Sequence, residues 1–282
     1  MTLHRPKMRF SPFLLFFLVL FALIMQGCFH SSSGGNKIGV TPDVDPTGYY
    51  DVSGTANVGD VSSGMLTITD LQGLVNGTRF IAISDANGLV YDGTITEINT
   101  DDFTATVSVF QDGTLITTAP VTGMITAGAK ITGTLTGSGL GSGSFELIYA
   151  LSNDQAADLS RLQLDVLDQW ITQVGGSTNL VSALGFVVGT TGNITHISTP
   201  IDGIFNGCNI DSGTILPVVG TSLYTASMTL SNCNNTLVDG DYEGLAITRT
   251  ESTETPVGDR LVLVTSNSDF GLYGEFIISG QF

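Results

Sequence analysis

Histidine is scarce in this chain: three occur in 282 residues, and His196 is the only one beyond residue 30. A Ser/His/Asp triad would have to use it, yet no G-x-S-x-G elbow is present to supply the nucleophile. Its context, GNITHIS, alternates in the manner of a strand, so His196 reads as a strand residue. Cysteine is as sparse, with three residues and no C-x-x-C pair, which removes redox dithiols and zinc-ribbon spacings from consideration. Lys and Arg together number 9 against 26 Asp and Glu. That field repels phosphate backbones and anionic headgroups, so nucleic acid is not an expected partner. No apolar run reaches the roughly 20 residues that a spanning helix needs; the longest runs from Phe13 to Met25.

That run has a meaning of its own. Basic Arg5, Lys7 and Arg9 precede it, and Met25-Gln26-Gly27-Cys28 follows. This is the order of a cleaved signal peptide, expected here over residues 1–27. Gly27-Cys28 resembles the lipobox of bacterial lipoproteins, although such boxes usually carry Leu and a small residue where Met25 and Gln26 stand. The resemblance implies that Cys28 is acylated and becomes the mature N-terminus. Palmitate-type chains, at about 0.8 kcal/mol per buried CH2, would then hold the protein to a membrane. Phe29, where Asp would retain the protein at the inner membrane, implies passage to the outer membrane of a Gram-negative cell. Residues 28–45, rich in Ser, Gly and Pro, read as the lipidated Cys and a flexible tether, with His30 as a linker residue. Three basic residues leave with the leader, so the body is more acidic than the formal -17 of the whole chain.

The body is expected to be all-β. From Gly48 onward short alternating runs (MLTIT, RFIAIS, GLVYDGTITEI, FTATVSVF, KITGTLTG, SFELIYAL) are separated by turn residues. Their spacing predicts an antiparallel sandwich or barrel over residues 46–152. Asp112-Gly113 is a hairpin signal. The pattern then changes: Leu159, Leu162, Val166, Trp170 and Val174 fall at helical spacing, with Ser152 and Gln155 as a capping box and Gly175-Gly176 as a stop. An amphipathic connector helix is therefore expected over 153–175, with Trp170, the single tryptophan, as a packing anchor. Alternation resumes in 176–282, which predicts a second β-domain. Ile131-x-Gly133-x3-Gly137-x4-Ser142-Gly143 echoes Ile201-x-Gly203-x3-Gly207-x4-Ser212-Gly213, as two related domains would. Once Cys28 is assigned to lipid, Cys208 and Cys233 are left as a structural disulfide, worth roughly 3 kcal/mol by loop closure. The glycine and turn pattern from Gly133 to Tyr149, with Trp170, Gly207-Cys208, Tyr224, Cys233 and Tyr242-x-Gly244-Leu-Ala, resembles a group of uncharacterised two-domain envelope lipoproteins. That resemblance implies a fold and an address but no activity.

Candidate chemistry is thin. The acidic pairs Asp43/Asp45, Asp85/Asn87, Asp101/Asp102 and Asp239/Asp241 could offer oxygens to Ca2+, but none fits a twelve-residue loop ending in Glu, and turn use explains them. GMITAGAK resembles a phosphate loop only superficially, because Ala129 separates Gly128 from Lys130. No catalytic residue, metal site or cofactor is assigned. The expectation is a non-enzymatic binding or structural module anchored at the outer membrane, with an envelope protein or a glycan as possible partner. The alternatives are a carboxylate-dependent glycan hydrolase and an outer-membrane β-barrel, the latter suggested by Phe276, Ile278 and the final Phe282.

Overall fold

The computed structural model describes residues 44–60, 64–151, 156–165, 168–172, 185–198, 205–251 and 258–279. The leader, Cys28, His30, Asp43, the Ser152/Gln155 pair, Val174, Ile201, Gly203 and Phe282 lie outside the described residues, as does the His196 side chain.

Sixteen strands are found among the described residues, and each pairs antiparallel with its sequence neighbour, apart from the chain crossing between the two sheets and one weak seam. The first eight are β1 (Gly48–Asp60), β2 (Gly64–Asn76), β3 (Arg79–Ser84), β4 (Leu89–Asn99), β5 (Asp102–Gln111), β6 (Thr114–Thr126), β7 (Lys130–Thr136) and β8 (Ser142–Tyr149). They form a closed up-and-down barrel in which β8 returns to β1, pairing Ala56 with Phe145. Inward positions are apolar: Ile68, Phe80, Tyr91, Val107, Val121, Ile131 and Leu147 are all buried. Outward positions of β5 to β7 carry Thr and Ser. The polarity is thus the reverse of a lipid-facing barrel. Inside, the free space is about 10 Å3, roughly the room of one water, so this is a filled core with no ligand cup. Asp112-Gly113 makes the expected tight turn, both residues having positive φ.

The remaining strands are β9 (Trp170–Thr172), β10 (Gly185–Val188), β11 (Ile194–Ser198), β12 (Asn209–Pro217), β13 (Leu223–Ser231), β14 (Gly240–Glu251), β15 (Gly258–Ser266) and β16 (Gly271–Ile278). They run as a second meander in which β16 returns to β9. Closure is incomplete at β11 and β12, which meet through the Asn193–Thr214 bridge and the Ile215 N–H to Gly192 carbonyl bond. Two antiparallel barrel-like sheets therefore follow one another, as the alternation predicts.

Among the described residues the expected connector helix is not found. Leu159–Arg161 is one 3-10 turn, capped by the Asp158 carboxylate accepting from the Ser160 N–H at 2.7 Å. Trp170 is a strand residue, pairing with Phe186 on one side and Ile278 on the other. Pairing on both flanks outweighs a local apolar period of helical spacing. The anchoring role survives the change: Trp170 is fully buried, and its indole N–H donates to the Leu162 carbonyl at 3.0 Å. β9 also places the start of the second sheet ahead of residue 176. At the other end, the tether is already docked at Val44, whose N–H donates to the Thr100 carbonyl.

The sheets share a core. Tyr49, Leu74, Ile81, Ile83, Val90 and Phe110 point away from the first barrel's interior and belong to the same buried cluster as Val262, Val264 and Tyr273 of the second sheet. Gly271 lies under the Phe110 ring, where a Cβ would come within 2.7 Å. The motif echo does not track this architecture. Ser142-Gly143 opens the eighth strand of the first barrel, whereas Ser212-Gly213 lies in β12, the fourth strand of the second.

Candidate functional site

An open groove of about 750 Å3 lies on the outer face of the first barrel. It arises from the register of β4 to β8. One inward row reads Phe103, Gly123, Gly133, Phe145 across β5, β6, β7 and β8. A Cβ on Gly123 would fall 2.6 Å from Phe103 Cε1, and one on Gly133 would fall 2.6 Å from Phe145 Cε1. The rings occupy the space side chains would need, so β6 and β7 rest their backbone directly on them. Outside, the same stretch is concave.

Two outward rows flank the dent. One is Glu97, Thr104, Thr122, Thr134, Ser144, in register across five strands. The other, one step nearer the turn that joins β4 to β5, is Asn99, Asp102, Met124, Thr132. Every residue of both rows lines the groove, and the strand segments at Phe103, Gly123, Gly133 and Phe145 run between them. Thr104 Oγ1 is within 2.9 Å of Thr96 Oγ1. The hydroxyls of Thr122, Thr132 and Thr134 make no hydrogen bond to protein among the described residues. Lys130, near the groove, is engaged with Glu146 at 2.7 Å. The arrangement offers hydroxyls, two carboxylates and an amide, with no cation in the lining.

A second polar cavity, about 520 Å3, opens where the barrels meet. Arg79 (β3) pairs with Asp92 (β4) at 2.5 Å and donates to the Glu243 carbonyl (β14) at 2.9 Å. The Ser266 hydroxyl (β15) donates to Asp92. Burial raises the Asp92 pKa, while Arg79 and Ser266 pull it down only in part. Nearby, Glu275 (β16) accepts from Arg249 (β14) at 3.0 Å and lies 3.5 Å from the wholly buried Arg260 (β15). Arg249 reaches Tyr49 of the first barrel at 3.4 Å, and Tyr49 donates to Gln72. Burial, with Asp85 and Glu275 adding to it, pushes the Tyr273 hydroxyl far up. These groups join strands across the shared core, which is a fastening role.

The cysteine pair is bonded. Cys208 and Cys233 form a buried disulfide beside β12 and β13. The Cys233 N–H donates to Asp239 Oδ1, which accounts for one acidic turn. Asp241 accepts from Thr229, Asp45 from the Thr47 N–H, and Asn87 donates to Ser84. Asp102 instead faces the groove. Among the described residues no group of three or more His, Cys, Asp or Glu is placed to hold a metal ion. His196 pairs with Phe186 in β11, as its alternation predicts.

The groove is what a reading of the sequence alone misses. Its residues come from five strands, and each Thr in isolation is an ordinary solvent-facing strand residue. The one available signal was a glycine inside each of two adjacent strands, TGMIT and ITGTLT. Compared with known protein families, with curated proteins and with solved structures, the chain matches none.

Proposed function

We propose that this protein is a lipid-anchored component of the bacterial outer membrane, held by an acylated Cys28, whose double-barrel body is a non-enzymatic binding module. The observation that carries the address is the order of basic residues, apolar run and Gly27-Cys28. Two features of the body support a binding role. Both interiors are filled with apolar side chains, which leaves the outer surface to meet a partner, and the open groove on the first barrel is lined largely by polar groups. The polar outward rows of β5 to β7 count against a lipid-facing barrel.

Mass spectrometry of the membrane form tests the anchor. The expected result is an acylated Cys28 at the mature N-terminus, and Cys28→Ser should shift the protein out of the washed membrane fraction. An intact leader with an unmodified thiol would sink the proposal. A carboxylate-dependent glycan hydrolase is the second reading, favoured by Glu97 and Asp102 sharing one groove. Its test is chain shortening of oligosaccharides, abolished by Glu97→Gln; the open shape of the groove speaks against it.

A further inference from the structure

We infer that the outer groove of the first barrel is an oligosaccharide-binding site, selective for uncharged or amino-bearing sugars. The inference deepens the binding-module reading and rests on it, but not on the lipid anchor.

Three observations converge. The first is spacing. Thr104, Thr122, Thr134 and Ser144 stand in register on four consecutive strands, and neighbouring strands lie roughly 4.8 Å apart. The row thus presents a hydroxyl at a pitch close to the length of one pyranose unit in an extended chain. A chain laid across the strands would meet a similar partner at each sugar. Among the described residues, Thr122, Thr132 and Thr134 make no internal hydrogen bond through their hydroxyls, so they can donate and accept toward a ligand.

The second is the floor. Gly123 and Gly133 carry no side chain and Phe103 and Phe145 turn inward, so the strip between the two rows is bare backbone. An unobstructed strip between two polar rows leaves room for a sugar ring to lie against the sheet and meet hydroxyls on either side. Phe103 and Phe145 support that backbone from the core side, so the strip is ordered before a ligand arrives. A volume of about 750 Å3 lies in the range of small-molecule sites, roughly 300–1,000 Å3.

The third is charge. Glu97 and Asp102 line the groove and no cation does. In a chain with a formal charge of -17, this repels phosphorylated, sulfated or uronate polymers. It accepts hydrogen bonds from hydroxyls, acetamido N–H groups or ammonium groups.

The test uses the full chain, purified in a detergent without sugar headgroups. Calorimetric titrations employ chitohexaose, cellohexaose and a glucosamine hexamer, with an alginate hexamer as the anionic control. At least one of the first three should bind saturably and the alginate hexamer should not. The variant Thr122→Val/Thr132→Val/Thr134→Val keeps β-branched residues at exposed strand positions and so preserves the fold; circular dichroism checks this. It should weaken binding at least tenfold, or about 1.4 kcal/mol. Three outcomes would each overturn the assignment: no binding by any of the three oligosaccharides, equal binding by the folded triple variant, or equal binding of the alginate hexamer. An unmodified Cys28 would leave this result untouched, and a failed titration would leave the lipid anchor untouched.

Discussion

The first barrel closes through a ladder that pairs β1 with β8 at six positions from Tyr50 to Val58, with a register shift between Asp51 and Thr55, whereas among the described residues the second meets itself at β11 and β12 through one bridge and one further hydrogen bond. The two have the same strand number and the same neighbour-to-neighbour path, yet they secure closure differently. Where the longer ladder closes the ring no covalent tie is present. Beside the weak seam, Cys208 immediately precedes β12 and bonds to Cys233, just beyond β13. The second barrel is also the one buried on both faces of β14 to β16, with the first barrel covering its outside. An incomplete ladder is tolerable when a crosslink and a packed neighbour hold the same strands.

The largest effect should come from the strand that joins the ends of the second meander. Trp170→Ala removes a fully buried indole and its bond to Leu162, at a cost of about 3–5 kcal/mol. Urea unfolding should show the loss. Hydrogen exchange should place early opening in β9, β10 and β16 while β5 to β7 stay protected. Uniform loss of protection would mean that the two barrels open as one. Next, replacing Cys208 and Cys233 together by Ala should lower stability by roughly 3 kcal/mol on the chain-entropy model. The added exchange should be concentrated at β12 and β13. A double variant as stable as the parent would show that the seam holds without its crosslink.

The smallest effect concerns the fastening between the barrels. Asp92 has a raised pKa in the folded state, chiefly from burial, so the native protein binds that proton more tightly than the unfolded chain does. Its contribution is fully present below the unfolded value of about 3.9 and is lost as pH rises through the folded one. Asp92→Asn cannot titrate. Measured against it from pH 3.5 to 8, the parent's unfolding midpoint should fall relative to the variant as pH rises, then level off. A difference independent of pH would mean that Asp92 does not titrate in this window.

The strands were legible because burial alternates along them. Phe103, Ala105, Val107 and Val109 point inward while Thr104, Thr106 and Ser108 face out. The disulfide was legible because the lipobox resemblance takes one cysteine of three. The connector misled because Leu159, Leu162 and Trp170 share a helical spacing but answer to different partners: a 3-10 turn for the first two and a sheet for Trp170. Nothing local records that Ile278, more than a hundred residues on, is the partner of Trp170. The groove was hidden for a related reason. It depends on which Thr stands beside which, and register is a property of pairs of strands.

The meander path also sets an order of events during synthesis. Every contact of the first barrel is available once Tyr149 has emerged, and its long-range step is only the return of β8 to β1. The second ring cannot close until β16, at the far end of the described chain, reaches β9. Local hairpins come early and distant pairings late, and chains are made from the N-terminus. For that interval the finished first barrel displays Tyr49, Leu74, Ile81, Ile83, Val90 and Phe110 with nothing yet to cover them. The shared core that fastens the mature body is thus an exposed sticky stripe on the nascent one, and the half-made protein is the form in greatest need of a chaperone.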